Sequence, residues 1–336
     1  MPSSRLRIET KAITEGALMA ALTAILAMAG ILIPFLSPVV MLIWTLPVVV
    51  VCIRHGMRVG IATIAVAGFI IMSLGTPFNA LDMLLTSTGP ALLIGCGFYY
   101  KWPTEKTLLF AAISAVIGLA AVIAISIKVM GISLQQFFGL DPETIEQVII
   151  MINESGLLSS AYESPESVSA AVYAMIDVFE IFFPVTIAVY GLLSALSNYL
   201  VAHVVLRKLK VPVPPLTKLA TFRLPMPLVI AVVLSLGMTI LGGMYFAEYP
   251  IIVVAGQNVQ SIMLVLYAFQ GFGVISFFLS KMQPQARMMS KAALVFGILA
   301  TGFNLLGIIG YVGVFDAFAD IRRLDKWTVG YGQEKT

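Results

Sequence analysis

The sequence predicts an all-α, polytopic integral membrane protein with about eight or nine transmembrane helices. Composition and patterning carry that reading. Hydrophobic residues make up 60% of the 336 and charged residues only 11%, with a mean hydropathy of +1.00. Soluble domains hold roughly 45–50% apolar and about 25% charged residues. So much apolar surface cannot be hidden in a core, and the bilayer is the solvent that fits it. The pattern is a succession of apolar runs near the ~17–25 residues that cross about 30 Å of hydrocarbon. The net charge of +3 is small and gives no argument for a nucleic-acid partner, whereas the placement of the basic residues is informative.

In chain order the runs cover residues 13–33, 39–53, 59–74, 81–100, 107–130, 171–206, 226–246, 251–280 and 292–315. The first follows Arg5, Arg7 and Lys11 and contains Ala27-Met28-Ala29, which resembles a signal-peptide cleavage site. Eight further runs follow it, so it is read as an uncleaved span. The second and third are short but bounded by polar or Pro/Gly punctuation. Pro34, Pro38, Pro77 and Pro103 fall at or near ends, where a missing N–H costs least. Pro47 and Pro184 fall inside runs and predict kinks.

Lys and Arg alternate from break to break. Arg54 and Arg58 follow the second span, Lys101 and Lys106 the fourth, Arg207 to Arg223 the sixth, and Lys281, Arg287 and Lys291 the eighth. The intervening breaks are almost free of them, and residues 131–170 carry only acidic charges. This is the positive-inside pattern of a bacterial inner-membrane protein with its N-terminus in the cytoplasm. Nine spans put the C-terminus outside, yet Arg322, Arg323 and Lys326 directly follow the last one. Either the count is off by one, or the final helix leaves the membrane without crossing.

The acidic outer segment, residues 131–170, is the longest break. Asp141-Pro142-Glu143 reads as an N-cap, a proline at the first helical position and an acidic first turn. Ile145, Val148, Ile149 and Ile152 recur at helical spacing, so a short amphipathic helix is expected, serving as a connector or as a lid.

No phosphate-binding loop, zinc-binding His pair or Gly-x-Ser-x-Gly turn occurs, so the chain is not read as an enzyme, and no cofactor or metal is expected. His55 and His203 are read as interface residues. Cys52 and Cys96, near cytoplasmic helix ends, are read as isolated thiols that form neither a disulfide nor a metal site.

The remaining polar residues suggest an outward-facing pocket, because ionisable groups inside spans are expensive. Asp177 and Glu180 share one face of the sixth span, near its outer end, where they are either solvated or paired with Lys128. Asn79 and Asp82 start the fourth span, and Gln257, Asn258 and Gln260 form either a frayed helix start or a binding rim. Asn198, Gln270 and Asn304 are deeper amides that suit interhelical hydrogen bonds. Ala17, Ala20, Ala21, Ala24 and Ala27 make a smooth face on the first span, and Ala111, Ala115 and Gly118 a similar stripe on the fifth. Such faces serve internal packing or the docking of another helix.

The stretches Asn198-Tyr199-Leu200 through Arg207-Lys208-Leu209, Val211-Pro212-Val213-Pro214-Pro215 and Phe222-Arg223-Leu224-Pro225 resemble the YybS-like family of predicted bacterial membrane proteins. Arg54-His55-Gly56 through Arg58-Val59-Gly60, and Asp316 to Asp320 with Arg322-Arg323-Leu324, agree with it. That family is defined by a domain of unknown function. More distantly, the first six spans and their opening Gly16-Ala17-Leu18-Met19-Ala20-Ala21-Leu22-Thr23-Ala24 look like the S components of energy-coupling-factor transporters. This resemblance implies a solute site near the outer side and a contact between Ala17, Ala21, Ala24 and a membrane coupling subunit. The chain departs from six-helix S components by continuing for about three more spans.

The expected architecture is therefore an S-component-like six-helix core over residues 1–210, followed by a Pro-rich basic loop, further spans and a tail over 211–336. The expected function is binding or transport of a small solute. The alternative is a membrane scaffold or regulator of the cell envelope acting through protein partners.

Overall fold

A computed structural model describes residues 10–155, 164–211, 213–216, 218–301 and 303–324, without the side chains of Asn79 and residues 298–304. The described regular elements are all helical, and among the described residues eight helical stretches, one of them the broken Pro34–His55, are long and apolar enough to cross a membrane. The described chain falls into two compact units, one within Met1–Glu180 and Thr186–Pro215, the other within Ile181–Val185 and Leu216–Thr336.

The first unit is built from α1 (Thr10–Leu32), α2 (Ser37–Ile43), α3 (Leu46–His55), α4 (Met57–Leu74), α5 (Pro77–Tyr99) and α6 (Thr104–Ile125). After them come α7 (Leu134–Phe137), α8 (Pro142–Ser155), α9 (Pro165–Ile181) and α10 (Phe183–Lys208), of which residues 181–185 belong to the second unit. Small residues let these helices approach closely, which is how helices associate where lipid removes the hydrophobic drive. A Cβ on Gly118 of α6 would collide with the Leu85 carbonyl of α5, and one on Gly97 of α5 with Thr107 of α6, which fixes an antiparallel pair. Gly16 lies against Val59 and Thr63, and Gly75 near Met28 and Ile31, so α1 and α4 run parallel. The largest buried cluster joins α3, α5, α6 and α10 through Val49, Ile94, Phe98, Ala111, Tyr199 and Leu206.

The internal prolines act as the sequence predicts. The second span breaks at Trp44–Thr45, before Pro47, into α2 and α3. The long run 171–206 divides between α9 and α10 beside Pro184. Each proline removes one backbone donor and crowds the preceding turn. A further proline, Pro90, stays within α5.

In the acidic segment Asp141 caps α8, accepting from the Thr144 backbone N–H at 3.1 Å and from its hydroxyl at 2.8 Å. Ile145 is buried and Ile149 and Ile152 half-buried, while Val148 is exposed.

The second unit holds the segment 216–225, α11 (Pro227–Tyr245), α12 (Pro250–Ser280), α13 (Pro284–Thr301) and α14 (Phe303–Ala319). Gly242 faces Val253 and Gly256 faces Met238, so α11 and α12 are antiparallel. Gly310 lies against Leu264, and Gly313 against Tyr267 and Gly271, so α12 and α14 run parallel along a glycine seam. The expected single span over 292–315 is thereby corrected to two helices. A chain leaving the end of α12 must return along α13 before α14 can run in the direction of α12. Arg322 consequently comes back to the end of the unit that holds residues 219–224.

Candidate functional site

Two polar constellations lie within the apolar helices, one in each unit. The first is a column between α5 and α10. Pro90 lacks the N–H that would bond the carbonyl of Thr86, four residues earlier, so that carbonyl has no helical donor. The Thr86 hydroxyl donates back to the Asp82 carbonyl at 2.8 Å, and Asp82 and Thr86 share a helix face. Across from them, Tyr190 reaches the side chains of Thr86 and Ser194 and lies within electrostatic range of Asp82. One turn further, Asn198 Nδ2 donates to the Ser194 carbonyl at 2.8 Å, and the hydroxyl of Thr45 donates to Asn198 Oδ1 at 3.4 Å. Thr45 stands at the α2–α3 break, where the backbone is irregular because Pro47 follows. The column therefore gathers a carboxylate, hydroxyls, an amide and a carbonyl without its usual helical donor, with Thr45, Thr86 and Asn198 buried. Irregular backbone at membrane depth is tolerated where it is buried in protein or lines a cavity.

The candidate pocket residues from the sequence divide between the units. Asp82 belongs to the column; Asn79 starts the same helix, and its side chain lies outside the described ones. Lys128 and Asp177 are exposed. Glu180 accepts from Gln135 Nε2 at 2.9 Å, and no ion pair among the described residues joins Lys128 to either carboxylate. In the second unit Asn258 is buried, donating to the carbonyls of Ile181 at 2.8 Å and Val254 at 2.9 Å. Gln260 donates to the Tyr311 hydroxyl at 2.7 Å, and Gln257 is half-buried. The deeper amides Asn198 and Gln270 hydrogen-bond between helical segments; the side chain of Asn304 is not described.

The alanine face of α1 splits. Ala20, Ala24 and Ala27 are buried, whereas Ala17 and Ala21 are exposed beside Leu18 and Leu22. The stripe on α6 is used internally, with Ala111, Ala115 and Gly118 buried.

The second constellation was not legible as a unit. Arg322 and Asp316, 2% and 1% exposed, face each other at the end of α14. Arg322 Nη2 donates to Asp316 Oδ2 at 2.7 Å and to the Phe222 carbonyl at 2.8 Å, and Nη1 donates to the Ala220 carbonyl at 2.7 Å. Gln270 Nε2 donates to Asp316 Oδ2 at 2.8 Å, and Gln270 Oε1 accepts from the Leu224 N–H at 2.8 Å. Gly273 leaves room for the Leu219 carbonyl against α12. The arrangement is a lock that holds the 219–224 segment to α12 and α14. A charge so deeply buried is tolerable only when its hydrogen-bonding groups are met in this way.

One expectation is corrected. The cysteines are not isolated: α3 and α5 bring Cys52 and Cys96 together, thiol to thiol, in the core. The two histidines have different surroundings. His55 Nε2 lies 2.9 Å from Glu15 Oε2, which also accepts from Arg54 at 3.2 Å. His203 is buried, parallel to the Tyr199 ring, with neither ring nitrogen bonded. Among the described residues no group of three or more His, Cys, Asp or Glu could hold a metal ion.

The family model described as "Predicted membrane protein (DUF2232)" matches residues 21–317. The chain is also similar to the uncharacterized protein YybS of Bacillus subtilis (strain 168), at 24% identity over 319 residues, covering 94% of this chain and 98% of that protein. This relative supports the YybS-like resemblance drawn from the sequence. No solved structure matches the chain.

Proposed function

Because the chain belongs to the DUF2232 family of predicted membrane proteins, we propose a function exercised within the bilayer: binding or transport of a small solute in the first unit, in the manner of an S component. The observation that carries this reading is the column from Asp82 through Thr86 and Tyr190 to Asn198, a set of polar groups gathered among apolar helices. Intramembrane polar and ionisable groups are costly and mark substrate pathways by default. The break at Thr45, with Pro90 inside α5, supplies the discontinuous backbone that transporter sites use. Ala17 and Ala21, exposed on α1, suit contact with a membrane coupling subunit, and Ala24 behind them packs internally. The protein lies in the bacterial inner membrane with both the N-terminus and Arg322 on the cytoplasmic side. The basic breaks support this, as does the return of α14 to the Lys218–Arg223 end of the second unit. The chain acts as a binding protein and not as an enzyme, and it draws energy from a partner or an ion gradient.

Native mass spectrometry of the full chain, released gently from membranes, tests this. A retained small molecule, lost when Asn198→Leu and Ser194→Leu fill the column, is expected. No retained molecule, together with no stabilisation by any metabolite pool, overturns it.

The scaffold reading draws on a different observation: Lys208, Lys210 and Lys218 are exposed. It predicts that in-cell crosslinking recovers a protein partner and that reversing these three charges abolishes the capture. Loss of a partner only on enlarging Ala17 and Ala21 favours the transporter reading.

A further inference from the structure

We propose that Cys52 and Cys96 form an oxidisable dithiol, which hydrogen peroxide, a small neutral oxidant, converts to an intramolecular disulfide tying α3 to α5. The inference goes beyond the solute-binding reading and does not rest on it.

The geometry comes first. Cys52 on α3 and Cys96 on α5 stand thiol to thiol, 0% and 1% exposed. Glycines draw the backbones in around them. A Cβ on Gly95, the residue before Cys96, would collide with Cys52 Cβ and lie 3.3 Å from the Val49 carbonyl oxygen. Here α3 and α5 approach about as closely as the ~4.4–6.8 Å that a disulfide asks of its Cα atoms. On the other side Cys52 Sγ fills the notch left by Gly60 of α4. Volume and charge then decide what the pair can do. The sulfur packed against Gly60 leaves no space for a metal ion, and among the described residues no third His, Cys, Asp or Glu completes a metal-type group. A structural zinc site needs four ligands. Two thiolates would also bury negative charge among apolar helices, which is costly. A disulfide takes less room than two touching thiols, and the pair is neutral before and after.

The chemistry runs in two steps. Peroxide transfers one oxygen to the first thiol, giving a sulfenic acid and one water. The second thiol attacks that sulfur. The S–O bond breaks as the S–S bond forms, and the hydroxyl leaves with the attacking thiol's proton as a second water. In sum, two thiols and one peroxide give a disulfide and two waters, two electrons passing from sulfur to oxygen. Burial slows the first step, because little thiolate is present and entry waits for a local opening. A molecule as small and uncharged as peroxide passes through such an opening, whereas oxidised glutathione, bulky and charged, stays out. In a reducing compartment the dithiol is the resting form and the disulfide a transient, redox-sensing one. The tether closes a loop around α4 and fixes α3 against α5.

The experiment uses the full chain in nanodiscs. It is exposed to hydrogen peroxide, quenched with catalase, denatured, alkylated with N-ethylmaleimide and weighed both intact and as proteolytic peptides. The chain is expected to lose two hydrogens, take up no maleimide and yield a peptide pair linked through Cys52 and Cys96. Reduction after denaturation should restore two sites for maleimide. Oxidised glutathione in place of peroxide should leave both thiols open to alkylation. Cys52→Ser and Cys96→Ser should each abolish the link and the loss of two hydrogens. The native chain alone decides the matter if either variant fails to fold. Uptake of two maleimides, at a peroxide dose that oxidises the thiols of the denatured chain, overturns the inference. Oxygen added to one sulfur without a link, or a link between two chains, overturns it as well.

Discussion

Arg322 holds a full positive charge at 2% exposure, and its surroundings explain how. Its guanidinium meets a carboxylate and two backbone carbonyls, while Gln270 bridges that carboxylate to the Leu224 N–H. Removing one partner of a buried pair leaves an uncompensated charge, which costs about 3–5 kcal/mol. Arg322→Ala and Asp316→Asn are each expected to lower the stability of the second unit by that order in denaturant melts. Arg322→Lys should recover only part, because an ammonium cannot present the planar fork that reaches Asp316, Ala220 and Phe222 together. The sequence displayed Arg322 and Asp316 as an ending that resembles a family, and Gln270 as an amide in need of a partner. It did not display the pairing, because the carbonyls that complete it lie 100 and 102 residues away. In the column, likewise, Asp82 and Asn198 stood out as polar residues in apolar runs. Tyr190, Thr86 and Pro90 did not, although Tyr190, Ser194 and Asn198 repeat every four residues and Pro90 follows Thr86 by four.

At the scale of elements, what was legible was hydrophobic length and proline position. The breaks at Thr45 and Phe182 followed from Pro47 and Pro184, and the cap of α8 from Asp141-Pro142. What was hidden was which helices touch, since glycine in a membrane helix marks close approach without saying to whom. Gly118 meets the Leu85 carbonyl, and Gly271 the Ile309 carbonyl, both backbone atoms that cannot step aside. Gly118→Val and Gly271→Val should each force the pair apart and cost about 1–3 kcal/mol or more, read as a loss of melting temperature, whereas Gly237→Val, facing open space, should not. The α8 cap gives a pH prediction of definite sign. Hydrogen bonds from Thr144 hold the Asp141 carboxyl below its ordinary value of 3.8. Its contribution is therefore complete above that value and is lost as pH falls through the lower folded value. Hydrogen exchange of the first α8 amides should rise on that acid side, and Asp141→Ala should show the same fast exchange already at neutral pH.

For the whole molecule, the sequence conveyed class without ambiguity because composition alone excludes a soluble core, and alternating basic breaks gave it a direction. The side of the C-terminal end stayed open because the run 292–315 looks like one crossing, and only the parallel course of α12 and α14 reveals two helices there. Reporter fusions at the N-terminus and after Arg322 should accordingly respond as cytoplasmic together. A periplasmic response from the second alone would overturn the return of α14. The lock has one more consequence, and it concerns time. Segment 219–224 leads the second unit, yet the groups that fasten it belong to Gln270, Asp316 and Arg322, so bonds spanning 46 to 102 residues make up one fastening. Contacts of such high sequence separation form late, since the loop between them must close first. The lock therefore predicts that, during maturation, α11 and α12 pair while the basic segment is still cleavable. Closure of the second unit then registers as a switch from protease-sensitive to protease-resistant at Lys218 and Arg223, and Arg322→Ala should leave the protein stranded in the earlier stage.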